Sequence, residues 1–463
     1  MTIQRSDSGE GRRRHAAAHA CRLVLAAAAL VFAACDLKVL NPAMISDEEL
    51  NDPQVLKAVI TGAASDVGYA ALVPGYGGLF VIGSVLTDEL VATDTRVGPR
   101  TMSDGRVRDD VEEAQSWWGY AAQARWTTEA AVERARDLVP DPDADSLVAT
   151  ASVWAGFANR INGDAFCDAV IDGGPLEPYT VYFERAERYF TDAIAVATAA
   201  GIDTLVTAAY AGRAQSRMML GNWAGAVADA AMVPNEFMFV INNSTAGRNL
   251  NRYWTYGRSN DGRYVVWGTP FQEWGMEWTG DRTQGDPRVI WEVRTSGNQV
   301  LIGPDGRRPW YALRKYLGTG DDVPLVRGTE MRLIEAEAAL VAGDWQTAID
   351  KINGVRDFRN ATRPSTWGTN TLEHVTASSL EEAWFILMKE RGIELWLEGR
   401  RLPDLRRWAV HPGKEHVPFK VVRLEAPTPN AEEDPRVSVY DVSNELCFEV
   451  SEDERLSNPN IGS

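Results

Sequence analysis

Charged side chains concentrate between residues 390 and 407, and a cluster of this kind could form a catalytic site. Glu390, Glu394 and Glu398 follow at steps of four, which places them on one face of a helix. Acid–base catalysis needs carboxyl groups whose surroundings push their pKa values apart. Many nearby arginines favour ionised carboxylates held in ion pairs instead. We therefore interpret the cluster as a helix-packing network and predict no catalytic residue. Its arginines are Arg391, Arg400, Arg401, Arg406 and Arg407.

The spacing of residues also gives little support for a phosphate-binding loop or a metal site. The glycine-rich run from Gly75 to Gly83 lacks the Lys-Ser/Thr pair of a phosphate-binding loop, so we predict a flexible loop or a helix turn. The histidines show no tight ligand pattern, so we predict no metal site and no cofactor. They are His15, His19, His374, His411 and His416.

Aromatic residues are more informative, because they concentrate in the segment 235–316, where helical periodicity disappears. Flat aromatic rings suit the apolar C–H faces of sugars, and peptides can use the same rings. The alternative is that most of these side chains fill a core built from loops. The aromatic candidates for ligand binding are Tyr256, Trp267, Trp274, Trp278 and Trp310.

The N-terminus has the parts of a secretory signal. Basic residues precede an apolar run from Leu23 to Ala34, which is too short for a membrane-spanning helix of about 20 residues. Phe32-Ala33-Ala34-Cys35 resembles the lipobox at which bacteria attach lipid to cysteine. We predict that residues 1–34 are a lipoprotein signal peptide and that Cys35 carries the lipid. The alternative is an ordinary secretory signal with an incidental cysteine.

The charge and composition indicate a folded, acidic protein that does not bind nucleic acid. The net charge is -18, and removing residues 1–34 makes it more negative by three, so nucleic acid is not an expected partner. With 45% hydrophobic and 24% charged residues, the chain is typical of a folded globular protein. The length after cleavage exceeds the usual single core of about 250 to 300 residues, which favours two domains or one elaborated helical body. Cys167 and Cys447 either form a disulfide or remain two buried thiols.

An internal similarity organises the middle of the chain. The run from Gly221 to Val227 recurs from Gly343 to Ile349, and in both copies an Ala-rich segment precedes Gly-Asx-Trp. Glycine can end one helix in the left-handed conformation, and Asn or Asp can cap the next. These turns resemble those of tetratricopeptide repeats. Two apolar stripes at helical spacing support the helical pairs. They are Phe183, Ala186, Phe190 and Ile194, and Trp345, Ala348, Ile352 and Val355.

The C-terminal part is predicted to hold one long helix and then loops. The helix runs from Ser379 to Glu398 with Leu380, Trp384 and Leu387 as its apolar stripe, and Pro403 interrupts it. Short strands such as Glu445 to Val450 are expected near the end.

These segments, taken in order, resemble the SusD/RagB-like lipoproteins over nearly all of the chain after residue 34. The helix from Ile386 through Trp408 is the most specific part. The matching segments are Cys35-Asp36-Leu37, Asn41-Pro42, Arg332 to Ala338, Gly343-Asp344, Ala348 to Arg356, Glu390 to Leu395, Glu398 to Arg401, Asp404 to Trp408, and Asn458-Pro459-Asn460.

The resemblance implies a mainly α fold, with a tetratricopeptide-like scaffold of helical pairs and a large irregular insertion of loops and short strands at about 235–316. It implies one domain over residues 35–463, anchored by lipid to the outer membrane and facing outward. It also implies capture of an oligosaccharide or peptide for a TonB-dependent, SusC-like transporter, without catalysis. The family's ligand face also draws on loops before the first long helix, which correspond here to Thr87 through Arg96 and on to Trp118. The polar candidates for ligand binding are Asp88, Arg96 and Asn251. The alternatives are a secreted glycan-degrading enzyme and a helical envelope adaptor without a small ligand.

Overall fold

The computed structural model describes residues 49–259, 262–280, 282–410, 420–424, 437–441 and 446–461. The predictions of a signal peptide over 1–34, of lipid on Cys35 and of a matching Asn41-Pro42 segment lie outside these residues. Helices dominate the described chain. They are α1 (Leu56–Leu72), α2 (Pro74–Leu86), α3 (Val97–Ser103), α4 (Glu112–Leu138), α5 (Ser146–Ala165), α6 (Thr180–Ala199), α7 (Asp203–Met219), α8 (Trp223–Ala230), α9 (Arg252–Trp254), α10 (Pro270–Trp274), α11 (Gly328–Val341), α12 (Trp345–Ala361), α13 (Leu380–Glu394), α14 (Arg401–Val410) and α15 (Glu452–Ser457).

The strands are short, and most lie in the segment predicted to be irregular. β7 lies at the centre of a three-stranded sheet, parallel to β6 and antiparallel to β10, while the other strands form two-stranded pairs. The mainly α class with an irregular insertion is confirmed. The strands are β1 (Val91–Ala92), β2 (Asp168–Val170), β3 (Leu176–Pro178), β4 (Met238–Ile241), β5 (Tyr264–Val265), β6 (Gly275–Glu277), β7 (Asp286–Val293), β8 (Thr295–Ser296), β9 (Gln299–Val300), β10 (Tyr311–Leu313), β11 (Val323–Arg327), β12 (Lys420–Leu424) and β13 (Val437–Asp441).

Both repeated turns have the predicted geometry. Gly221 and Gly343 adopt φ values of 73° and 81°, in the left-handed region that ends a helix. The Asn222 side chain accepts a hydrogen bond from the backbone N–H of Gly225, and Asp344 accepts one from Thr347. α7 and α8 therefore form one helical pair, and α11 and α12 form another.

Small residues let the scaffold helices approach closely. The Phe190 ring of α6 lies against Gly156 of α5 and Gly212 of α7, where a methyl group would come within 2.6 and 2.2 Å of ring atoms. Phe190 also contacts Phe157 with ring centroids 5.0 Å apart. This packing of aromatic on glycine agrees with the predicted tetratricopeptide-like arrangement.

The predicted C-terminal helix is shorter than expected. α13 ends at Glu394, because Leu397 and Gly399 adopt left-handed φ values of 58° and 69°. The prediction that Glu398 shares a helical face with Glu390 and Glu394 is therefore wrong. Pro403 lies in the first turn of α14, where a missing N–H costs little, so it does not interrupt a helix.

Two further expectations near the C-terminus are corrected. Leu380 is 37% exposed, because it lies in the first turn of α13, so it is not part of a buried stripe. In the described part of the predicted strand, Phe448 makes a single parallel bridge to Phe166.

Cys167 and Cys447 form a disulfide, which resolves the alternative in favour of pairing. Their Cα atoms lie 5.0 Å apart. The backbone N–H of Cys167 donates to the Phe448 carbonyl, and the N–H of Phe448 donates to Ala165. The disulfide therefore ties the C-terminal segment to the end of α5.

Within the described residues, α1 and α2 satisfy the length and apolarity of a membrane span only when taken together, and they bend by 66° at their junction; no single helix satisfies both.

Candidate functional site

The three-stranded sheet brings side chains of the irregular segment onto one face. Glu292 of β7 pairs with Ala312 of β10, and Trp278 follows directly on β6, beside Glu292. Because side chains alternate along a strand, Glu292 and Arg294 point to the same side, as do Trp310 and Arg314 on the facing strand. We call this set, together with Arg258, the arginine–tryptophan face.

Three arginines converge on one carboxylate at this face. Arg258 and Arg294 donate to Oε1 of Glu292 at 2.7 and 3.0 Å, and Arg314 donates to Oε2 at 2.5 Å. Glu292 is buried, and Arg294 is the most open of the arginines, with 37% of its side chain exposed. The cluster therefore has more positive than negative charge, and it reaches solvent through Arg294.

The pKa shifts at the cluster have a clear origin. Burial lowers the pKa of Arg258, and so do the charges of Arg314 and Arg294, against the opposing effect of Glu292. Burial by itself raises the pKa of Glu292, but the hydrogen bond from Arg314 and the charges of its neighbours hold that pKa below its ordinary value. Glu292 is thus ionised at neutral pH and offsets one of the three positive charges.

Two of the predicted tryptophans border these arginines. The Arg314 guanidinium lies 4.2 Å from the ring centroid of Trp278, and that of Arg282 lies 3.7 Å from the same ring. Arg294 lies 5.3 Å from the ring centroid of Trp310. Trp278 is partly exposed, whereas Trp310 is buried and donates its indole N–H to the Gly257 carbonyl.

A π-helical turn, Thr255–Ser259, links this face to a second aromatic cluster. It carries Arg258 and also Tyr256, whose ring lies 5.6 Å from Tyr264 and 6.4 Å from Tyr76. Turns of this kind are rare and often occur at functional sites.

Arg96 belongs to that second cluster. Its guanidinium lies 3.8 Å from the ring centroid of Tyr76 and pairs with both oxygens of Asp94. Arg263 donates to Asp94 at 3.0 Å. The structure thus brings Arg96 and Tyr256, two predicted ligand residues, around the same tyrosine.

Tyr76 holds a strained backbone conformation. Its φ is 68°, in a region that non-glycine residues rarely adopt. Gly78 follows with φ 64°, and a methyl group there would come within 2.5 Å of the Leu72 backbone nitrogen, so only glycine fits. The glycine-rich run is therefore a tight turn, and regular helix resumes after it.

Four other predicted ligand residues lie outside these two clusters. They are Asp88, Asn251, Trp267 and Trp274. Asp88 is 3% exposed and forms a two-fold hydrogen-bonded pair with Arg401 at 2.7 and 2.6 Å. Asn251 is fully buried, caps α9 and donates to the Asp321 carbonyl. Neither side chain is open to a ligand in this structure. Trp267 packs beside Trp310 in a small core.

Trp274 lines a different, open cavity of about 350 Å³ between α10 and α13. The Lys389 ammonium lies 5.5 Å from its ring centroid, and Glu273, Asp286 and Arg356 contribute polar groups. Trp274 therefore does not share a site with Trp278.

The charged cluster of α13 and α14 is an ion-pair network, as predicted. Arg288 bridges Glu390 at 2.6 Å and Glu394 at 3.2 Å, and Arg391 pairs with Asp404 at 2.8 Å. Opposing arginine charges outweigh the effect of burial and lower the pKa of Glu394 to about 2. Glu398 pairs with Arg327 and Lys315.

Glu89 and Asp164 are also buried carboxyl groups, but their pKa values are raised, whereas that of Glu394 is lowered. Burial raises the pKa of each to about 7. They line one enclosed cavity with about 10 Å³ of room, which is enough for a single water molecule and far too little for a sugar ring. In the part of the chain that the structure describes, no group of His, Cys, Asp and Glu side chains is arranged to hold a metal ion.

Comparison with known proteins agrees with this architecture. Residues 244–454 match the model of the SusD family. A SusD-like carbohydrate binding protein from Bacteroides fragilis superposes with a TM-score of 0.62 at 13% identity, over 89% of this chain and 99% of its own. This chain has the SusD fold. The resemblance predicted from the sequence is confirmed.

Other solved structures support the same SusD-like assignment of fold. A second SusD-like protein from Bacteroides fragilis has a TM-score of 0.61 at 15% identity, covering 90% of this chain and 98% of its own. A SusD-like carbohydrate binding protein from Bacteroides vulgatus has a TM-score of 0.57 at 14% identity, covering 88% and 97%. No curated protein matches the sequence of this SusD-like chain.

Sequence reasoning missed the arginines of the site. The prediction rested on aromatic residues in 235–316 and overlooked Arg258, Arg294 and Arg314, although all three lie within that segment. It also missed Trp126 of α4, which is 58% exposed and lines an open cleft of about 340 Å³ with Trp118 and Asp172. The sequence offered one signal, the density of arginine within the aromatic segment.

Proposed function

We propose that this SusD-like protein captures an oligosaccharide and delivers it to a TonB-dependent, SusC-like transporter. The observation that carries the proposal is the arginine–tryptophan face, where a partly exposed indole lies among guanidinium donors. Aromatic rings and hydrogen-bond donors are the groups that sugars need. Two solved structures of the same fold are described as SusD-like carbohydrate binding proteins. An oligopeptide is the second ligand class.

The proposed role is binding without catalysis. A glycan-degrading enzyme needs two carboxyl groups about 5 to 9.5 Å apart in a cleft that admits a sugar. Among the described residues, the carboxyl groups with a pKa raised to about 7 are Glu89, Asp164 and Glu330, and they line cavities of about 10 Å³ or less. Release of reducing ends from polysaccharides by the pure protein would establish the enzyme instead.

Trp278 of the arginine–tryptophan face is the proposed ring contact, and Tyr256 and Arg96 of the second cluster extend the proposed ligand face through the π-helical turn. We expect Trp278→Ala to weaken oligosaccharide binding at least about fivefold, since a ring contact contributes ~1 kcal/mol. Isothermal titration calorimetry against panels of oligosaccharides and oligopeptides measures this. Trp126→Ala, which removes an exposed tryptophan from another surface, is the matched control. No heat above buffer with either panel would contradict the proposal.

We place the protein at the outer membrane, facing outward, as one SusD/RagB-like domain of residues 35–463 held by lipid on Cys35. The Cys167–Cys447 disulfide supports export, because disulfides persist in oxidising compartments. Coverage of 97 to 99% of the solved SusD-like chains supports a single domain. The Cys35→Ala variant is expected to leave the membrane fraction. If it partitions with membranes as the parent does, the lipid anchor is wrong.

The transporter partner is tested by affinity purification from detergent-solubilised membranes. A large barrel transporter is expected to co-purify with the tagged protein. A stable envelope partner other than a transporter, together with no binding of small ligands, would favour the helical adaptor.

A further inference from the structure

The charge at the arginine–tryptophan face runs against the charge of the whole protein. The chain carries -18 overall, yet Arg258, Arg294 and Arg314 all direct their hydrogen bonds to the single carboxylate of Glu292. Among the residues that the structure describes, no other carboxylate forms an ion pair with these three. Within this described part of the chain, two of the three positive charges are therefore not compensated by an ion pair.

The three guanidinium groups also have N–H donors that are not used in hydrogen bonds to Glu292. Each guanidinium carries five N–H groups in a planar fork, and each of the three spends one nitrogen on Glu292. Nε of Arg294 is buried and finds no acceptor in the structure. Such forks match the paired oxygens of a carboxylate or a sulfate.

The surroundings suit an acidic sugar better than a free anion. Trp278 lies 4.2 Å from the Arg314 guanidinium, and Arg282 lies on the same ring at 3.7 Å, so a pyranose ring near the indole would have cations beside it. The arginines come from three segments, the π-helical turn, the end of β7 and the end of β10. A patch assembled in this way presents charge across a surface and not at one helix terminus.

We propose that the ligand is an anionic oligosaccharide, with its carboxylate or sulfate groups held by Arg258, Arg294 and Arg314. This inference rests on the proposed function and names the substrate class of that same site. Glu292 holds the three guanidinium groups in place, so its removal would scatter them by mutual repulsion.

The test uses the full chain, purified in mild detergent, with three groups of ligands. These are oligogalacturonates for carboxylate, chondroitin sulfate oligosaccharides for sulfate, and maltooligosaccharides and xylooligosaccharides as neutral chains. The Arg258→Gln/Arg294→Gln double variant is expected to bind the acidic ligand at least about tenfold more weakly, as two charge-assisted contacts are lost. Arg307→Gln removes the same charge from an exposed loop and is the control. Arg294→Lys keeps the positive charge and is the conservative control for variants that fail to fold. We expect it to retain binding of the acidic ligand, and we expect that binding to weaken as the salt concentration rises.

The outcomes separate the two proposals. Tighter binding of oligogalacturonate or of the sulfated chain, lost in the double variant and kept in Arg307→Gln, supports the inference and identifies the anionic group. Binding of neutral chains with no tighter binding of either acidic ligand, or binding of an acidic ligand that the double variant keeps in full, overturns the inference and leaves the capture role intact. An acidic peptide that binds through the same arginines, with no saccharide doing so, overturns the sugar assignment. No binding of any ligand overturns the proposed function itself.

Discussion

At the scale of single residues, Glu89 shows how burial changes the chemistry of a carboxyl group. It accepts hydrogen bonds from the Ser84 hydroxyl and from the backbone N–H of Leu397, both at 2.6 Å. Burial is the main cause that raises its pKa to about 7, and the nearby Asp88 carboxylate adds to it. Arg401, which pairs with Asp88, opposes the shift without reversing it.

Glu89 should make stability depend on pH. Its folded-state pKa of about 7 exceeds the 4.5 of an ordinary Glu, so its contribution is complete below pH 4.5 and is lost as pH rises through 7. Glu89→Gln mimics the protonated form. We expect the variant to match the parent near pH 4 and to exceed it at pH 8 by on the order of 3 kcal/mol. Urea unfolding at both pH values measures this, and a difference independent of pH would contradict it.

At the scale of secondary-structure elements, the two Gly-Asx-Trp turns act as helix boundaries. Gly221 and Gly343 supply the left-handed residue, and Asn222 and Asp344 supply the side-chain acceptor for the next helix. Both ingredients are local, because each hydrogen bond spans three residues. This is why the sequence pattern alone predicted both helical pairs.

The cap at Asn222 gives a direct test of that local origin. Asn222→Ala leaves the Gly225 N–H without its acceptor, so we expect a loss of about 1 kcal/mol in the free energy of unfolding. Asn222→Asp keeps an acceptor oxygen and should retain most of the stability. Chemical denaturation of the three proteins provides the comparison. Equal losses in both variants would mean that packing, and not capping, is affected.

At the scale of the whole molecule, the disulfide joins residues that are 280 positions apart. It fixes the described C-terminal segment against the end of α5, where Phe448 packs on Trp117 and Phe166. Asn458 and Asn460 continue this attachment by donating to the carbonyls of Gly174 and Gly173. The described segment 446–461 is therefore attached to the helical scaffold.

Removing the disulfide should destabilise the whole fold. The Cys167→Ser/Cys447→Ser variant is expected to lose roughly 2 to 5 kcal/mol, because the crosslink restricts a very long loop in the unfolded chain. The parent protein with reductant should fall to the same midpoint of denaturation, while the variant should not respond to reductant. A parent midpoint that reductant leaves unchanged would show that the crosslink adds no stability.

The sequence by itself determined the features that depend on neighbouring residues. Hydrophobic spacing and Gly-Asx signals located the helical pairs, and loss of periodicity located the irregular segment at 235–316. The arginine-rich composition around Glu390 was enough to predict that the cluster is an ion-pair network and not a catalytic site. Short-range hydrogen bonds and local backbone preferences follow from local sequence, so these features could be predicted.

Only the tertiary structure decided which distant groups meet. Asp88 pairs with Arg401 across 313 positions, which buries a residue that looked free to bind a ligand. Arg258, Arg294 and Arg314 reach Glu292 because β7 and β10 align in one register and the π-helical turn packs over them. Long-range partners depend on how whole elements pack, and no local pattern in the sequence encodes that choice.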